Sequence, residues 1–206
     1  QKHLKIFFSS KKNKLYEFVI TDNCSNDHTF KIVKKYQKIH NNLKYFKNSK
    51  NYGYNYNYFK SIKNCNSEFV MLLSDDTIPS KNLYDEVYDK IKLSEKKLIF
   101  LPIYKLGIWK NKFFNKTKVS FIISRGSMAW GVVMKKESIN KMYTNKNQLY
   151  PQNRIYMNYY LENDFIILKT KSYLYNYKTK ENLISKFSIY KINKTIFTGK
   201  DLYNMH

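Results

Sequence analysis

Apolar and polar positions along the chain alternate between two rhythms. Leu4, Phe7 and Phe8 recur at i, i+3 and i+4, the spacing of the last part of an amphipathic helix. Glu17-Phe18-Val19-Ile20-Thr21 is a short β-rich run without polar alternation, which suits a strand covered on both faces. The polar loop Asp22-Asn23-Cys24-Ser25-Asn26-Asp27-His28-Thr29 follows. Ser25 or Asp27 is placed there to cap a helix that turns Ile32, Val33, Tyr36 and Ile39 inward. A second strand is predicted at Leu43–Phe46, then a Tyr/Asn-rich turn and helix from Asn51 to about Lys63. Glu68–Leu73 is the most apolar strand and runs into Ser74-Asp75-Asp76. Pro79 and Ser80 open another helix, with Leu83, Val87 and Ile91 at intervals of four, and Leu98–Leu101 reads as a further strand.

Strand and helix thus alternate up to Pro102, which predicts an α/β domain with a mainly parallel sheet flanked by helices. Beyond it the pattern loosens. Phe121–Ile123, Met128–Met134 and Ser172–Tyr177 are strand candidates, and Ser138–Met142 and Asn153–Leu161 are short helix candidates. With no repeat, linker or composition break, residues 1–102 and 103–206 read as two halves of a single domain.

Composition narrows this picture. The 206 residues are 43% hydrophobic and 17% aromatic, enough for one core and too apolar for a disordered chain. No apolar run approaches the roughly 20 residues that span a bilayer. The net charge of +23 comes from lysine, since only Arg125 and Arg154 are arginines. Lys, Asn, Ile, Tyr and Phe all have A/T-rich codons, so a biased genome accounts for much of the excess. Readers of nucleic acid lean on arginine for bidentate contacts, so nucleic acid is not the expected partner of this basic protein. The field still favours anionic substrates and an anionic membrane surface. Cys24 and Cys65 form no disulfide or metal motif and read as small buried hydrophobes. They fit a reducing, cytoplasmic setting, with peripheral contact at the inner face of a membrane.

In an open α/β sheet, ligands bind beyond the carboxyl ends of the strands. Two predicted strands end in carboxylates, at Asp22-Asn23 and at Asp75-Asp76. As parallel neighbours in one sheet they would bring both to the same edge. Paired carboxylates at the end of an apolar strand repel one another, and a hard divalent cation relieves that repulsion. Mg²⁺ or Mn²⁺ bridging a diphosphate is the chemistry this pattern suggests; solvated turn carboxylates capping the Pro79 helix are the competing reading. An EF-hand fails on spacing, because Cys24 and Asp27 stand where Asp/Asn and Gly are required. No phosphate-binding glycine pattern is present, and the four histidines are scattered.

Taken together, Glu17–Thr29, then Asn51-Tyr52-Gly53, then Leu72-Leu73-Ser74-Asp75-Asp76 resemble the family 2 glycosyltransferases, inverting enzymes of GT-A fold. That family typically shows an apolar strand ending in Asp-Asn/Asp-x-Ser-x-Asp-x-Thr, then Asn-x-Gly, then an apolar strand ending in Asp-Asp or Asp-x-Asp. Asn57, at Asn-x-Gly-x-x-x-Asn spacing, looks most like the abequosyltransferase-like branch of surface-polysaccharide synthesis. The resemblance implies a nucleotide-diphospho-sugar donor bound by the first half and a glycan or lipid-linked acceptor met by the second. By it, Asp22 would accept a hydrogen bond from the base, and Asn23 and Ser25 would shape the loop that receives it. Asn51 and Gly53 would line the sugar–phosphate side, with Asn57 beside them. Asp75 would meet the donor ribose or sugar, and Asp76 would hold Mg²⁺ or Mn²⁺. Lys60, Lys63 and Arg125 are placed to assist the diphosphate charge, or to be solvated cations.

Two departures accompany the resemblance. The family often supplies its base as the Asp of a Glu-Asp pair; here the nearest match is Glu162-Asn163-Asp164, which nominates Asp164, with Glu137 another downstream carboxylate. The stretch Ser124–Gly131 resembles the acceptor-side loop, with Trp130 either facing a sugar or in the core. The family also begins with an apolar strand, whereas this chain reads as starting in the helix after it. An N-terminally incomplete sheet is therefore the expectation. It leaves two other readings open: an inactive transferase-like fragment, and a basic module for anionic membrane or nucleic acid.

Overall fold

The computed structural model describes residues 2–74, 77–96, 98–101, 103–105, 131–137, 152–168 and 174–176. Its helices are α1 (Lys2–Ser9), α2 (Thr29–Gln37), α3 (Tyr54–Lys63), α4 (Leu83–Leu93) and α5 (Gln152–Leu161). Its strands are β1 (Phe18–Asp22), β2 (Leu43–Lys47), β3 (Phe69–Leu72), β4 (Thr77–Pro79), β5 (Leu98–Phe100), β6 (Ile103–Lys105), β7 (Val132–Lys135), β8 (Phe165–Ile167) and β9 (Leu174–Asn176).

These strands form three sheets, β1-β2, β3-β7-β5-β8 and β4-β9-β6. The α/β architecture with helix-flanked sheets is the expected one, but the pairing is more mixed than expected. β1–β2, β5–β8 and β6–β9 are parallel, whereas β3–β7, β5–β7 and β4–β9 are antiparallel. The cause is β7, from the second half of the chain, which enters between β3 and β5 against their direction. Strands from both halves thus share the central sheet.

Side-chain alternation along these strands sorts the core into two layers. Val70, Leu98, Val132, Met134 and Phe165 turn to one face, where Tyr58 and Ile62 of α3 and Ile155, Tyr156 and Tyr159 of α5 cover them. Ile99, Val133 and Ile166 turn to the other, under Leu83, Val87 and Ile91 of α4. Each fully buried aliphatic side chain there contributes about 1.5–3 kcal/mol over an exposed one. A third cluster joins Leu4 of α1 and Val33 of α2 to Leu43, with Phe18, Ile20 and Tyr45 packed against it.

Several local expectations change. α2 ends at Gln37, so Ile39 falls in the following turn and is 71% exposed rather than inward-facing. Pro79 closes the short strand β4, and the helix starts four residues later at Leu83. Cys24 is exposed rather than buried; Cys65 is half-buried against the core, and burial pushes its thiol up to about 11. The candidates at Phe121–Ile123 and Ser138–Met142 lie outside the described residues.

The expectation that β1 and β3 are neighbours in one sheet is not met, because they belong to separate sheets. Their starts nevertheless lie side by side. The Glu17 carboxylate, just before β1, accepts from the backbone N–H of Asn66 and of Ser67 (3.0 Å), just before β3. Between them α3 runs from Gly53, beside the loop after β1, to Asn64, whose amide still reaches Thr21, and the chain meets the start of β1 only at Asn66 and Ser67. β1 therefore ends, at Asp22, away from its contact with the start of β3, at the edge where the sequence pattern places the ligand.

Candidate functional site

β1 delivers Asp22 to that edge, and the strand's hydrogen bonding sets what each residue faces. Phe18 N donates to Asn42 O and Asn48 N donates to Asp22 O (both 2.8 Å), so residues 18, 20 and 22 address β2. Thr21 addresses the opposite side, where its carbonyl accepts from Asn57 Nδ2 of α3 at 3.2 Å. Asn64 Nδ2 donates to Thr21 Oγ1 (3.2 Å), so α3 is hung on the outer edge of β1 by two amides one helical face apart.

Asp22 is 5% exposed, and each of its carboxylate oxygens accepts one hydrogen bond. Its Oδ1 accepts from Ser25 N at 2.7 Å, which folds the loop back as an Asx-type turn. Its Oδ2 accepts from the Tyr45 hydroxyl at 2.5 Å. Burial alone would raise this carboxyl. The hydrogen bonds from Ser25 and Tyr45, with the Lys47 charge beyond them, more than offset it and hold it below the ordinary carboxylate range. Tyr45 is pushed the other way, by its burial first and then by the carboxylate that it serves. Lys47 Nζ ties the loop further by donating to Ser25 O (2.9 Å). Cys24, between Asn23 and Ser25, takes a left-handed φ of 70° to let the chain turn.

A chain of amides joins this loop to the start of α3. Asn23 Nδ2 donates to Asn51 Oδ1 (2.7 Å) and to Gly53 O (3.2 Å), and Asn23 Oδ1 accepts from Tyr52 N (3.1 Å). Asn51 Oδ1 also accepts from Gly53 N (2.8 Å). Gly53 has φ 84°, and a Cβ there would meet nothing of the protein within 4 Å. Its dihedral, not crowding by the chain, demands glycine, and the space above it is open to a ligand. Asn48, 2% exposed, is the hub: its Nδ2 donates to Asn23 Oδ1 (2.9 Å) and to Asn57 Oδ1 (3.1 Å). Asp27 Oδ1 accepts from Thr29 N (2.9 Å), but the N-cap of α2 is His28, without a side-chain cap, so neither Ser25 nor Asp27 holds the cap position expected from sequence.

Thus Asp22, Asn23, Ser25, Asn51, Gly53 and Asn57 are brought together. Asp75, Asp76, Arg125 and Trp130 lie outside the described residues. Lys60 sits over the Tyr56 ring, 5.5 Å from its centroid. Asp164 is not brought to this edge. Its N–H donates to Tyr159 O (2.8 Å) and its carbonyl accepts from Leu98 N (3.3 Å), which fixes it between α5 and the start of β8. β8 runs parallel to β5 and antiparallel to β7, as β3 does, so Asp164 stands at the amino ends of the strands. Glu137 follows the end of antiparallel β7 and lies toward that far edge too. A base must reach the acceptor hydroxyl directly or through one water, and the structure places Asp164 and Glu137 at the amino ends of the strands, apart from Asp22. The end of α5 nearer the ligand edge carries buried Gln152 and exposed Asn153.

Among the described residues no group of three or more His, Cys, Asp or Glu side chains gathers to hold a metal. Asp22, with one N–H and one O–H donor already on its oxygens, is placed as a hydrogen-bond acceptor rather than as an open metal ligand. Tyr45 and Asn48 were not foreseen. The signal for Tyr45 was the period of two along β2, which turns Leu43 and Tyr45 to one face.

The profile of Glycosyl transferase family 2 matches residues 3–166. A Methanococcus voltae protein, dolichyl N-acetyl-alpha-D-glucosaminyl phosphate 3-beta-D-2,3-diacetamido-2,3-dideoxy-beta-D-glucuronosyltransferase, is 34% identical over 125 residues, covering 56% of this chain and 38% of that protein. S. aureus TarS 1-349 in complex with UDP superposes with a TM-score of 0.70 at 21% identity, covering 88% of this chain and 57% of that one. The mannosyltransferase PcManGT from Pyrobaculum calidifontis, solved with GDP-Man and Mn²⁺, gives a TM-score of 0.61 at 14% identity, covering 87% and 53%. The chain thus spans well under two thirds of the length of each.

Proposed function

Because the chain belongs to the family 2 glycosyl transferases, we propose that it moves a sugar from a nucleotide-diphospho-sugar to a glycan or lipid-linked acceptor in surface-polysaccharide synthesis. The observation that carries this reading is the loop cluster itself. Asp22, Asn23, Asn51 and Gly53, from two separate βα connections, converge on one open edge, already oriented by Ser25, Tyr45 and Asn48. Such prepositioned acceptors and donors suit a nucleotide, whose base and ribose offer fixed hydrogen-bonding groups. The methanococcal relative is named for acting on a dolichyl-linked sugar phosphate, which favours a lipid-linked acceptor. Peripheral contact with an anionic membrane, from the cytoplasmic side, accords with that and with the net charge of +23. The Asn57 spacing favours the abequosyltransferase-like branch.

Metal assistance and inversion belong to the same proposal. Asp76 is the residue that would hold Mg²⁺ or Mn²⁺, and PcManGT was solved with Mn²⁺. A bound divalent ion supplies charge neutralisation on the leaving diphosphate. The chain's own part is to bind the base at Asp22, hold the sugar–phosphate along 51–57, and orient the donor before the acceptor arrives. A second reading, donor binding without transfer, is favoured by the position of Asp164 at the far edge.

The test is a transfer assay with labelled nucleotide-sugars and Mn²⁺, beside donor binding by Asp76→Asn. Donor-dependent transfer in the wild type, with metal-dependent donor binding lost in the folded variant, supports the full reading. Transfer unchanged in Asp76→Asn contradicts the metal assignment. Donor binding with no turnover selects the second reading.

A further inference from the structure

We propose that Tyr45 is a positioning residue that selects the nucleotide's base, by fixing Asp22 as an acceptor-only group; this rests on the reading that Asp22 meets the base. The geometry is specific. Asp22 Oδ1 is held by Ser25 N (2.7 Å) and Oδ2 by the Tyr45 hydroxyl (2.5 Å), so the carboxylate cannot rotate without breaking one of them. The two holders come from different elements, the β1–α2 loop and β2. Tyr45 is half-buried, its ring packed in the α1/α2 cluster and 5.9 Å from the Phe30 ring, so its hydroxyl is itself placed by the core.

A charged carboxylate has about four lone-pair directions, and its two donors occupy one on each oxygen, which leaves one on each for a further donor. A third partner must then bring a proton. Uracil N3 and guanine N1 carry one on the pairing edge. Cytosine N3 and adenine N1 present a lone pair there and meet repulsion, so those bases could donate only through the neighbouring exocyclic amine, offset from the ring position that the held oxygens address. If the Tyr45 hydroxyl is removed, Oδ2 is free to turn or to hydrate, and the carboxylate loses both its fixed direction and its preference. Tyr45 acts through Asp22 and need not touch the base.

The experiment measures binding of UDP and CDP by titration calorimetry to the full chain, to Tyr45→Phe and to Asp22→Asn, with folding followed by circular dichroism. The expected result is tighter UDP than CDP binding in the wild type. Tyr45→Phe is expected to weaken UDP about tenfold, as for loss of a hydrogen bond to a charged group, while leaving CDP nearly unchanged. Replacing Tyr45 with 4-aminophenylalanine, which keeps the ring and a donor hydrogen, should recover most of the UDP preference. An unchanged UDP-to-CDP ratio in a folded Tyr45→Phe, beside a lowered ratio in Asp22→Asn, overturns the inference and spares the base reading. No change in Asp22→Asn overturns both. Should Tyr45→Phe not fold, the wild type decides: the Tyr45 ring ¹³Cζ resonance must shift on saturation with UDP, and a resonance that stays still overturns the proposal.

Discussion

Two carboxylates bracket β1, and they differ in what surrounds them. Glu17, at the start, accepts from Lys44 Nζ (2.6 Å), from Ser67 N and Oγ (3.0 and 3.2 Å) and from Asn66 N. Burial would raise its carboxyl, and these partners outweigh that and hold it below the ordinary range. Every partner is part of the fold, and the result is a staple between the starts of β1 and β3. Asp22, at the other end, is held as firmly, but its neighbours are loops rich in asparagine that open to solvent. The same physical device, a carboxylate held by donors, therefore builds architecture at one end and, in the function proposed, a prearranged donor-binding edge at the other. Pairing alone does not distinguish the two carboxylates; the end of the strand, with its asparagine-rich loops, is what singles out Asp22 for the proposed role.

The largest effect expected from this contrast is on binding. Asp22→Asn should lower donor affinity about 10- to 100-fold, the range for a hydrogen bond to a charged group, with the far-UV spectrum retained. Calorimetry with UDP checks it. Asn48→Ala removes the hub between Asn23 and Asn57. It should cost about 1–2 kcal/mol of stability and weaken the donor about tenfold, since loop order and site are one network there. Urea unfolding beside the same titration separates the two effects. Glu17→Gln should cost about 1 kcal/mol in urea unfolding and leave donor affinity unaltered; a drop in affinity there would dissolve the distinction between the two ends. The smallest effect is in acid. Both carboxylates titrate below their unfolded values, so their stabilisation is complete above about pH 4. It is lost as pH falls through the lowered folded values. The stability gap between wild type and Glu17→Gln should therefore narrow below about pH 4, measurable as converging acid-unfolding curves.

The binding edge was legible in sequence because its parts are local. An apolar run ending in Asp22, an Asx-turn loop and a glycine before a helix each announce themselves within a few residues. Tyr45 and Asn48 were hidden because their partners sit across a strand pair, and register is a long-range property. The mixed central sheet was hidden for the same reason: nothing within 132–135 says that β7 will insert between β3 and β5. Asp164 shows the converse case. A carboxylate after a helix is easily read, but only the direction of β8 against β5 tells which edge of the sheet it occupies. Ile39 continued the helical period past the turn that ends α2, where periodicity no longer reports burial.

The most direct measurement is a crystal structure of the chain with a uridine diphosphate-sugar and Mn²⁺. The account predicts the base hydrogen-bonded to Asp22, the sugar–phosphate along Asn51 and Gly53, and the diphosphate between the ends of β1 and β3. A donor bound at the amino-terminal edge, beside Asp164 and away from Asp22, would contradict it.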